Sequence, residues 1–231
     1  MSAELSSGIP ERLIVIGSSA PLAPALAELH GPDNTAFFGR TNPYDLPNWQ
    51  EGFPLDTDEG IAQTREAVKA YTAELGVTPA HLVMLQGVSS TDWQSSIAVN
   101  MVSVAEIGSG FAEVNQDRSA LGSIALIGSA SAYLGSKLPY STTKASLTGL
   151  MNGFNKAYGA TTRTNLIVPG AMEGGMSSNW GPEKTAQIVS RTYANRIASA
   201  KEIADAILFC ANNKYVCGSV INMTSGQVGI E

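Results

Sequence analysis

A tyrosine and a lysine four positions apart, Tyr140 and Lys144, are the residues whose types and spacing most directly suggest catalysis. Side chains at positions i and i+4 of a helix share one face, with Cβ atoms about 5–6 Å apart. A phenol with its ordinary pKa near 10 is a poor acid or base at neutral pH, but a nearby cation favours the phenolate and lowers that pKa. The pair therefore predicts acid–base chemistry, with an ordinary surface tyrosine and lysine as the alternative.

Two further polar residues come from elements that precede this pair. Ser129 follows the apolar run IALI and a glycine, and its hydroxyl is a neutral donor suited to developing oxyanion charge. Asn100 lies within a predicted helix, where asparagine has only middling propensity, so its presence there needs a special reason. A solvent-facing amide is the alternative for Asn100.

Short apolar runs rich in β-branched residues alternate with longer amphipathic segments, and these elements must position the polar residues. Runs such as LIVI, LVML and IALI are continuously apolar, as strands buried on both faces are. The pattern predicts an α/β fold, a single domain with a doubly wound parallel sheet of about seven strands. Strands are predicted at 13–16, 35–38, 82–86, 123–127, 164–168 and 219–223, and helices at 21–30, 60–74, 93–114, 140–158 and 201–212.

Ligands of such sheets bind beyond the carboxyl ends of the strands, where the strand order reverses. Residues directly after predicted strands are therefore expected to face one crevice, and these are Gly17, Ser18, Ser19, Arg40, Gly87, Ser129, Pro169 and Gly170. The segment 171–197 is predicted to form a substrate lid, and residues 1–10 a tail. In the lid, Met172 and Met176 beside Trp180 are expected to supply an apolar lining, although methionines more often fill gaps in a core.

Together these pieces resemble the short-chain dehydrogenase/reductase family. The resemblance covers almost the whole chain and rests on motifs in the family's order: Trp93–Asn100 for W-x-x-x-x-x-V-N, Ile127–Ser129 before the active serine, Tyr140 and Lys144 for Y-x-x-x-K, the run NLIVPG at Asn165–Gly170, and a closing helix and strand within 196–226. It implies a Rossmann-type fold and an oxidoreductase that reduces a ketone, or oxidises a secondary alcohol, by hydride transfer with a nicotinamide cofactor.

The resemblance also implies a role for each catalytic candidate. Tyr140 would be the general acid or base, and Lys144 would lower the pKa of Tyr140 and hydrogen-bond the nicotinamide ribose. Ser129 would hold the substrate oxygen. Asn100 would hold a water molecule that links Lys144 to solvent.

Arg40 follows the second strand, where the family selects between the two nicotinamide cofactors. An arginine there matches the 2′-phosphate of NADP by charge and forked hydrogen bonds, so NADP(H) is expected in preference to NAD(H); a solvated turn arginine is the alternative. Asp56 resembles the family aspartate that contacts adenine, or else caps a helix starting near Asp58. The remaining expected cofactor contacts are Gly17, Ser18, Ser19, Leu22, Thr57, Gln86, Gly87, Tyr140, Lys144, Pro169, Gly170 and Met172.

The glycine-rich loop departs from the family pattern. T-G-x-x-x-G-x-G aligns with residues 16–23, where only Gly17 remains and Pro21 and Ala23 replace the other glycines. A proline removes an N–H and adds a ring near the path of the pyrophosphate. Because proline suits a first helical turn and Ser18 and Ser19 offer hydroxyl donors, we expect altered contacts rather than lost binding.

Other departures concern the substrate side. The family's N-N-A-G is replaced by residues 84–87, and Gly174 stands where the family has a threonine. Shortened loops before Trp93 and before Tyr140 predict an open pocket for a bulky or carrier-attached carbonyl or alcohol substrate. Two alternatives stay open: the same scaffold could perform non-redox dehydration, epimerisation or cyclisation, or the protein could be a non-catalytic nucleotide-binding partner.

Composition excludes several other classes. The 231 residues carry a net charge of −6 with no local basic cluster, which argues against nucleic-acid binding. Apolar runs of only a few residues predict no membrane span, and the amino terminus lacks the features of a secretory signal. The two cysteines and two histidines have no metal-ligand spacing, so no metal is expected and free thiols in the cytoplasm fit best. The resemblance implies a homodimer or homotetramer, joined through the helices near Thr91 and Pro139 and the last strand.

Overall fold

The computed structural model describes residues 11–229 apart from the side chain of Met176, so the predicted tail at 1–10 lies outside the described residues. Seven parallel strands form one sheet in the order β3-β2-β1-β4-β5-β6-β7. The predicted doubly wound α/β fold is confirmed. The strands are β1 Arg12–Ile16, β2 Thr35–Gly39, β3 Trp49–Glu51, β4 Ala80–Met84, β5 Gly122–Ile127, β6 Thr162–Pro169 and β7 Val220–Met223.

Helices cover both faces of the sheet. They are α1 Leu22–His30, α2 Asp58–Glu74, α3 Trp93–Ile97, α4 Ser103–Asp117, α5 Ser131–Leu134, α6 Leu138–Tyr158, α7 Pro182–Val189 and α8 Ala200–Asn212. A π-helical turn at Ala98–Val102 joins α3 to α4, and 3-10 turns lie at Pro32–Asn34 and Gly175–Asn179. Helices α1 and α8 pack on one face of the sheet, and α2, α4 and α6 pack on the other.

The two faces are built from alternate residues of the same apolar strands. In β1, Leu13 and Val15 join the core under α1 and α8, whereas Ile14 and Ile16 join the core under α2, α4 and α6. All four are buried. This two-sided burial explains why the central strands lack a polar alternation, and it fixes their carboxyl ends at one edge of the sheet.

The short edge strand β3 was not among the predicted strands. It pairs with β2 through only three residues, and residues 40–48 connect the two parallel strands without a helix. A crossover of a dozen or more residues is usual between parallel strands. Here Asn42 closes the loop instead, because its Oδ1 accepts from Leu46 N at 2.8 Å and its Nδ2 donates to Leu46 O at 3.0 Å. Leu46 is thereby buried in the core beside α1.

The helical stretch from Trp93 to Asp117 is long and apolar enough, by length and composition, to cross a membrane. Its residues Val104, Ile107 and Phe111 are buried against the sheet. A core helix of a soluble protein passes the same test of length and composition, so the stretch does not by itself indicate a membrane span.

Candidate active site

A cleft of about 1270 Å³ runs along the carboxyl ends of the central strands. Small-molecule pockets commonly measure about 300–1,000 Å³, so the cleft has room for an elongated ligand and a second molecule. Its wall includes most of the predicted site residues: Gly17, Ser19, Leu22, Arg40, Asp56, Gln86, Gly87, Ser129, Tyr140, Lys144, Pro169, Gly170 and Met172. Three predicted residues, Ser18, Thr57 and Asn100, are not part of this wall.

Tyr140 lies in the first turn of α6, which begins at Leu138 and carries Pro139 in that turn. Its side chain is buried, and this burial raises the pKa of the phenol above its ordinary value, while a hydrogen bond with the Ser129 hydroxyl lowers that pKa by less. Tyr140 is therefore a neutral phenol at neutral pH. The predicted lowering of the Tyr140 pKa by Lys144 is not found, because burial raises this pKa and Lys144 is not among the groups that shift it.

Lys144 lies one helical turn beyond Tyr140 and is also buried. Its Nζ donates a hydrogen bond to Ile127 O at 2.8 Å, and burial lowers the pKa of the ammonium to about 8. Gly87 borders the same atom, because a Cβ at Gly87 would lie 3.2 Å from Lys144 Nζ. The glycine thus leaves open the approach from the cleft to the lysine.

Ser129 reaches the cleft from the loop after β5. Its Oγ accepts a hydrogen bond from Ser131 N at 3.1 Å, in the first turn of α5. This bond leaves the hydroxyl proton available for another acceptor. Ser129 and Tyr140 are close enough for their hydroxyls to interact, and together they can hold a carbonyl oxygen.

Asn100 is fully buried in the π-helical turn, so the solvent-facing alternative is wrong. Its Oδ1 accepts from Val88 N at 2.8 Å, and its Nδ2 donates to Val88 O at 2.9 Å and to Thr143 Oγ1 at 3.1 Å. The amide therefore ties the loop after β4 to α6. A Cβ added at Gly87 would lie 3.5 Å from Asn100 Oδ1. Asn100 therefore contacts the backbone of this loop and positions Gly87 beside Lys144. Its predicted water-binding role stays a prediction.

The loop before α1 keeps one glycine for a steric reason. Gly17 has a φ of 101°, and a Cβ there would lie 3.0 Å from Gln86 N. Ser18 is fully buried, and its Oγ donates to Thr41 O at 2.6 Å. This hydroxyl holds the β2–β3 loop and is not directed into the cleft, whereas Ser19 does line the cleft. The cofactor contact of Ser18 stays a prediction.

Two departures from the family pattern touch each other in the structure. Pro21 caps α1, and its ring lies against the segment after β6, where Gly174 and Gly175 both have left-handed backbone. A Cβ at Gly174 would lie 2.9 Å from Cβ of Pro21 and 3.0 Å from Cγ. The glycines therefore accommodate the proline ring. Ser177 Oγ fixes the same segment by donating to Gly174 O at 2.8 Å.

The far end of the cleft is formed by residues that follow β2 and β3. Arg40 and Asp56 are exposed and line it. Thr57 does not, because its Oγ1 accepts from Gly60 N at 3.1 Å as the cap of α2 and donates to Pro54 O at 3.2 Å. The alternative that Asp56 caps this helix is wrong, because Thr57 is the cap. The cofactor contact of Thr57 stays a prediction.

Two lining residues at this end, Phe53 and Leu55, were missed from the sequence. They directly follow β3, so recognition of that strand would have placed them at the crevice like the other residues after strands. Gln86 is buried and lines the cleft near Gly17. Its Nε2 donates to Ser103 Oγ at 3.3 Å, whereas its Oε1 has no partner in the described part of the chain. A bound ligand can supply the missing donor.

Comparisons with known proteins agree with this architecture. A family model described as Enoyl-(Acyl carrier protein) reductase matches residues 59–227. An uncharacterized short-chain type dehydrogenase/reductase of Sinorhizobium fredii is 31% identical over 61% of this chain, and the match spans only 58% of that relative's length. The 3-oxoacyl-[acyl-carrier-protein] reductase FabG of Buchnera aphidicola (subsp. Schizaphis graminum) is 26% identical over 75% of this chain and 72% of its own.

Solved structures show the same fold. A short-chain dehydrogenase/reductase from Brucella melitensis superposes with a TM-score of 0.79 at 18% identity, covering 96% of this chain and 98% of its own. An angucycline C-6 ketoreductase solved with bound NADP gives a TM-score of 0.77 at 18% identity, covering 95% and 96%. With the family model matching well over half of its residues, the chain belongs to the short-chain dehydrogenase/reductase family.

Proposed function

We propose that the protein is an NADP(H)-dependent oxidoreductase that reduces a ketone or oxidises a secondary alcohol. The observation that carries this proposal is the grouping of Tyr140, Ser129 and Lys144 in a cleft that also contains an exposed arginine, Arg40. Two relatives support the reaction type: one is named a 3-oxoacyl reductase, and the other is a ketoreductase solved with NADP.

The residues of the cleft fit a nicotinamide dinucleotide. Arg40 would hold a 2′-phosphate, since guanidinium binds phosphate by charge and forked hydrogen bonds. The unpartnered Oε1 of Gln86 would accept from a ribose hydroxyl, and Lys144 Nζ would donate to the ribose nearer the reacting carbon. When bound, the cofactor supplies or takes up the hydride.

The chain's own residues handle the proton. Ser129 would donate a hydrogen bond to the carbonyl oxygen and so orient it toward Tyr140. Because burial keeps Tyr140 protonated at neutral pH, its phenol would give its proton to that oxygen as negative charge develops. The Lys144 side chain is mostly in its charged ammonium form at neutral pH, and this charge would stabilise the phenolate that remains on Tyr140.

A cofactor titration with a carbonyl panel tests the proposal. Saturable NADPH fluorescence together with carbonyl-dependent NADPH oxidation supports it. Turnover that needs neither cofactor would instead indicate non-redox acid–base chemistry, and cofactor binding without turnover on any ketone would indicate a nucleotide-binding partner.

Arg40→Ala tests the cofactor preference. We expect this change to raise the Kd for NADPH by about tenfold or more while leaving the Kd for NADH within about twofold, because only NADPH carries the 2′-phosphate. Arg191→Ala is the matched control, since Arg191 is exposed and lies outside the cleft wall. An equal loss for both cofactors would overturn the preference.

A further inference from the structure

The charge of the cleft is opposite to that of the protein. The chain has a net charge of −6, yet the charged residues of the cleft wall are four cations and one acid: Arg40, Lys137, Lys144, Lys184 and Asp56. The proposed function uses Arg40, Asp56 and Lys144. It leaves two lysines in the wall, Lys137 and Lys184, without a role.

Lys137 lies in the cleft wall, directly before α6. It precedes the first residue of α6, three positions before Tyr140, and its Nζ donates to Ser89 O at 2.7 Å. This bond uses one of three ammonium protons and leaves the charge itself unneutralised. The amino-terminal end of a helix as long as α6 adds positive potential at the same place.

Lys184 approaches the cleft from α7, on the segment predicted as a lid. Its Nζ lies 4.8 Å from the centre of the Trp180 ring, and both side chains line the cleft. An indole face holds a cation in place without neutralising its charge. Within the described residues Lys184 forms no ion pair, and the nearby acids Glu173 and Glu183 do not belong to the cleft wall.

We propose that the substrate carries an anionic group, a carboxylate or a phosphate, that Lys137 and Lys184 bind while its carbonyl lies at Ser129 and Tyr140. The inference rests on the proposed function and specifies its substrate class. Lys137 and Lys184 are both exposed, but they come from separate elements and line one concave cleft whose other charged residues are mostly cations. Positive charge that lines a cleft on several sides attracts an anion more strongly than an isolated surface lysine does. The anion can belong to a free keto acid or to the phosphate of a carrier arm.

Matched pairs of ketones test this charge preference. We would compare kcat/KM with NADPH for 5-oxohexanoate and its methyl ester, and for phosphorylated and dephosphorylated pantetheine thioesters of 3-oxobutanoate. We expect the anionic member of at least one pair to be favoured about tenfold or more. The pair that shows the preference identifies the source of the anion. A wild-type enzyme that reduces the neutral members as well as the anionic ones overturns the inference.

Variants connect the preference to the two lysines. Lys137→Met and Lys184→Met should each reduce the anionic-to-neutral ratio of kcat/KM about fivefold or more, mainly through KM for the anion. Lys156→Met is the matched control, because Lys156 lies near the other end of α6, is exposed and is absent from the cleft wall. An unchanged ratio in both test variants overturns the assignment.

A binding measurement separates this inference from the proposed function. Titrating 5-oxohexanoate into the protein with NADP⁺ should change tryptophan emission in a saturable way, as the carboxylate draws Lys184 from the indole. The change should be lost in Trp180→Phe and in Lys184→Met, and it should be absent with the methyl ester. If no ketone is reduced, the proposed function fails, yet this response still supports the anion site. If the ester is reduced and the response is absent, the anion site alone fails.

Discussion

At the scale of single residues, the burial of Tyr140 determines which protonation state is available for its proposed role in proton transfer. Its pKa is raised, so the neutral phenol needed to protonate a carbonyl is present throughout the neutral range. Alcohol oxidation instead requires the phenolate, whose population grows about tenfold per pH unit below the pKa. We therefore expect kcat/KM for ketone reduction to stay level between about pH 6 and pH 7, where Lys144 is still protonated, while that for alcohol oxidation rises over the same interval.

Replacement of the phenol by a benzene ring checks this assignment. Tyr140→Phe should reduce kcat for ketone reduction about a thousandfold, while the Kd for NADPH stays within about threefold. Steady-state kinetics in both directions and a fluorescence titration give these values. An oxidation rate that stays level with pH, or a variant that keeps substantial turnover, contradicts a proton-transfer role for Tyr140.

Lys144 illustrates how a buried charged residue reduces stability. Its pKa is lowered from 10.5 to about 8 in the folded chain, so the unfolded chain binds more protons between these values. The cost of the buried charge is therefore fully present below about pH 8 and is removed as the pH rises toward 10.5. Lys144→Met removes this cost but also the bond to Ile127 O.

We thus expect Lys144→Met to raise the free energy of unfolding at pH 7 by about 2 kcal/mol in the absence of cofactor. The gain should shrink as the pH approaches about 10. Urea unfolding at several pH values measures it, and exposed Lys156→Met provides the control for the loss of a charge. A variant that is less stable at neutral pH, or whose gain does not depend on pH, contradicts this account.

At the scale of elements, the central strands and most helices could be predicted from the sequence. The buried strands are continuous runs of apolar residues, and the helices are longer amphipathic segments. Strand β3 has only three residues, which is too short for a period to show, and Phe53 and Leu55 were missed with it. The directions of the Ser18 and Thr57 hydroxyls could not be predicted for a different reason. A family motif places a residue but not the direction of its hydroxyl. The Ser18 hydroxyl donates to a carbonyl of the β2–β3 loop, and the Thr57 hydroxyl donates to a carbonyl of its own loop.

The contact between Pro21 and the segment after β6 is a second feature that no single motif reveals. Each departure from the family pattern looks unfavourable alone, but the Pro21 ring occupies the space that a side chain at Gly174 would need. The two positions should therefore be energetically coupled. Gly174→Ala should raise KM for NADPH about tenfold in the natural background but only about twofold when Pro21 is also replaced by glycine, a coupling of about 1 kcal/mol.

A double-mutant cycle measures this coupling with the four proteins under identical conditions. Gly181→Ala is the control, because Gly181 lies in the same segment and a Cβ there meets nothing within 4 Å. Equal effects of Gly174→Ala in both backgrounds would show that the backbone conformation of Gly174, whose φ is 78°, and not the ring, sets the cost.

At the scale of the whole molecule, apolar side chains remain exposed where α3 and α6 begin. Trp93 is 48% exposed and Leu138 is 74% exposed, and both lie on the helices through which the family resemblance predicts self-association. Exposed large apolar side chains on a weakly charged chain favour burial against a second copy. We expect the protein to be a homodimer or homotetramer in light scattering coupled to size-exclusion chromatography.

Leu138→Glu should shift that assembly toward a smaller species, because a carboxylate at an apolar contact must be desolvated without a partner. Val77→Glu is the matched control, since Val77 is 80% exposed at the end of α2, away from both helices. A monomer at micromolar concentration, or an assembly that Leu138→Glu leaves intact, contradicts this interface.

Because Leu138 lies two positions before Tyr140, the same variant also shows whether association orders the first turn of α6. If association does so, kcat for ketone reduction should fall together with the molar mass of the assembly.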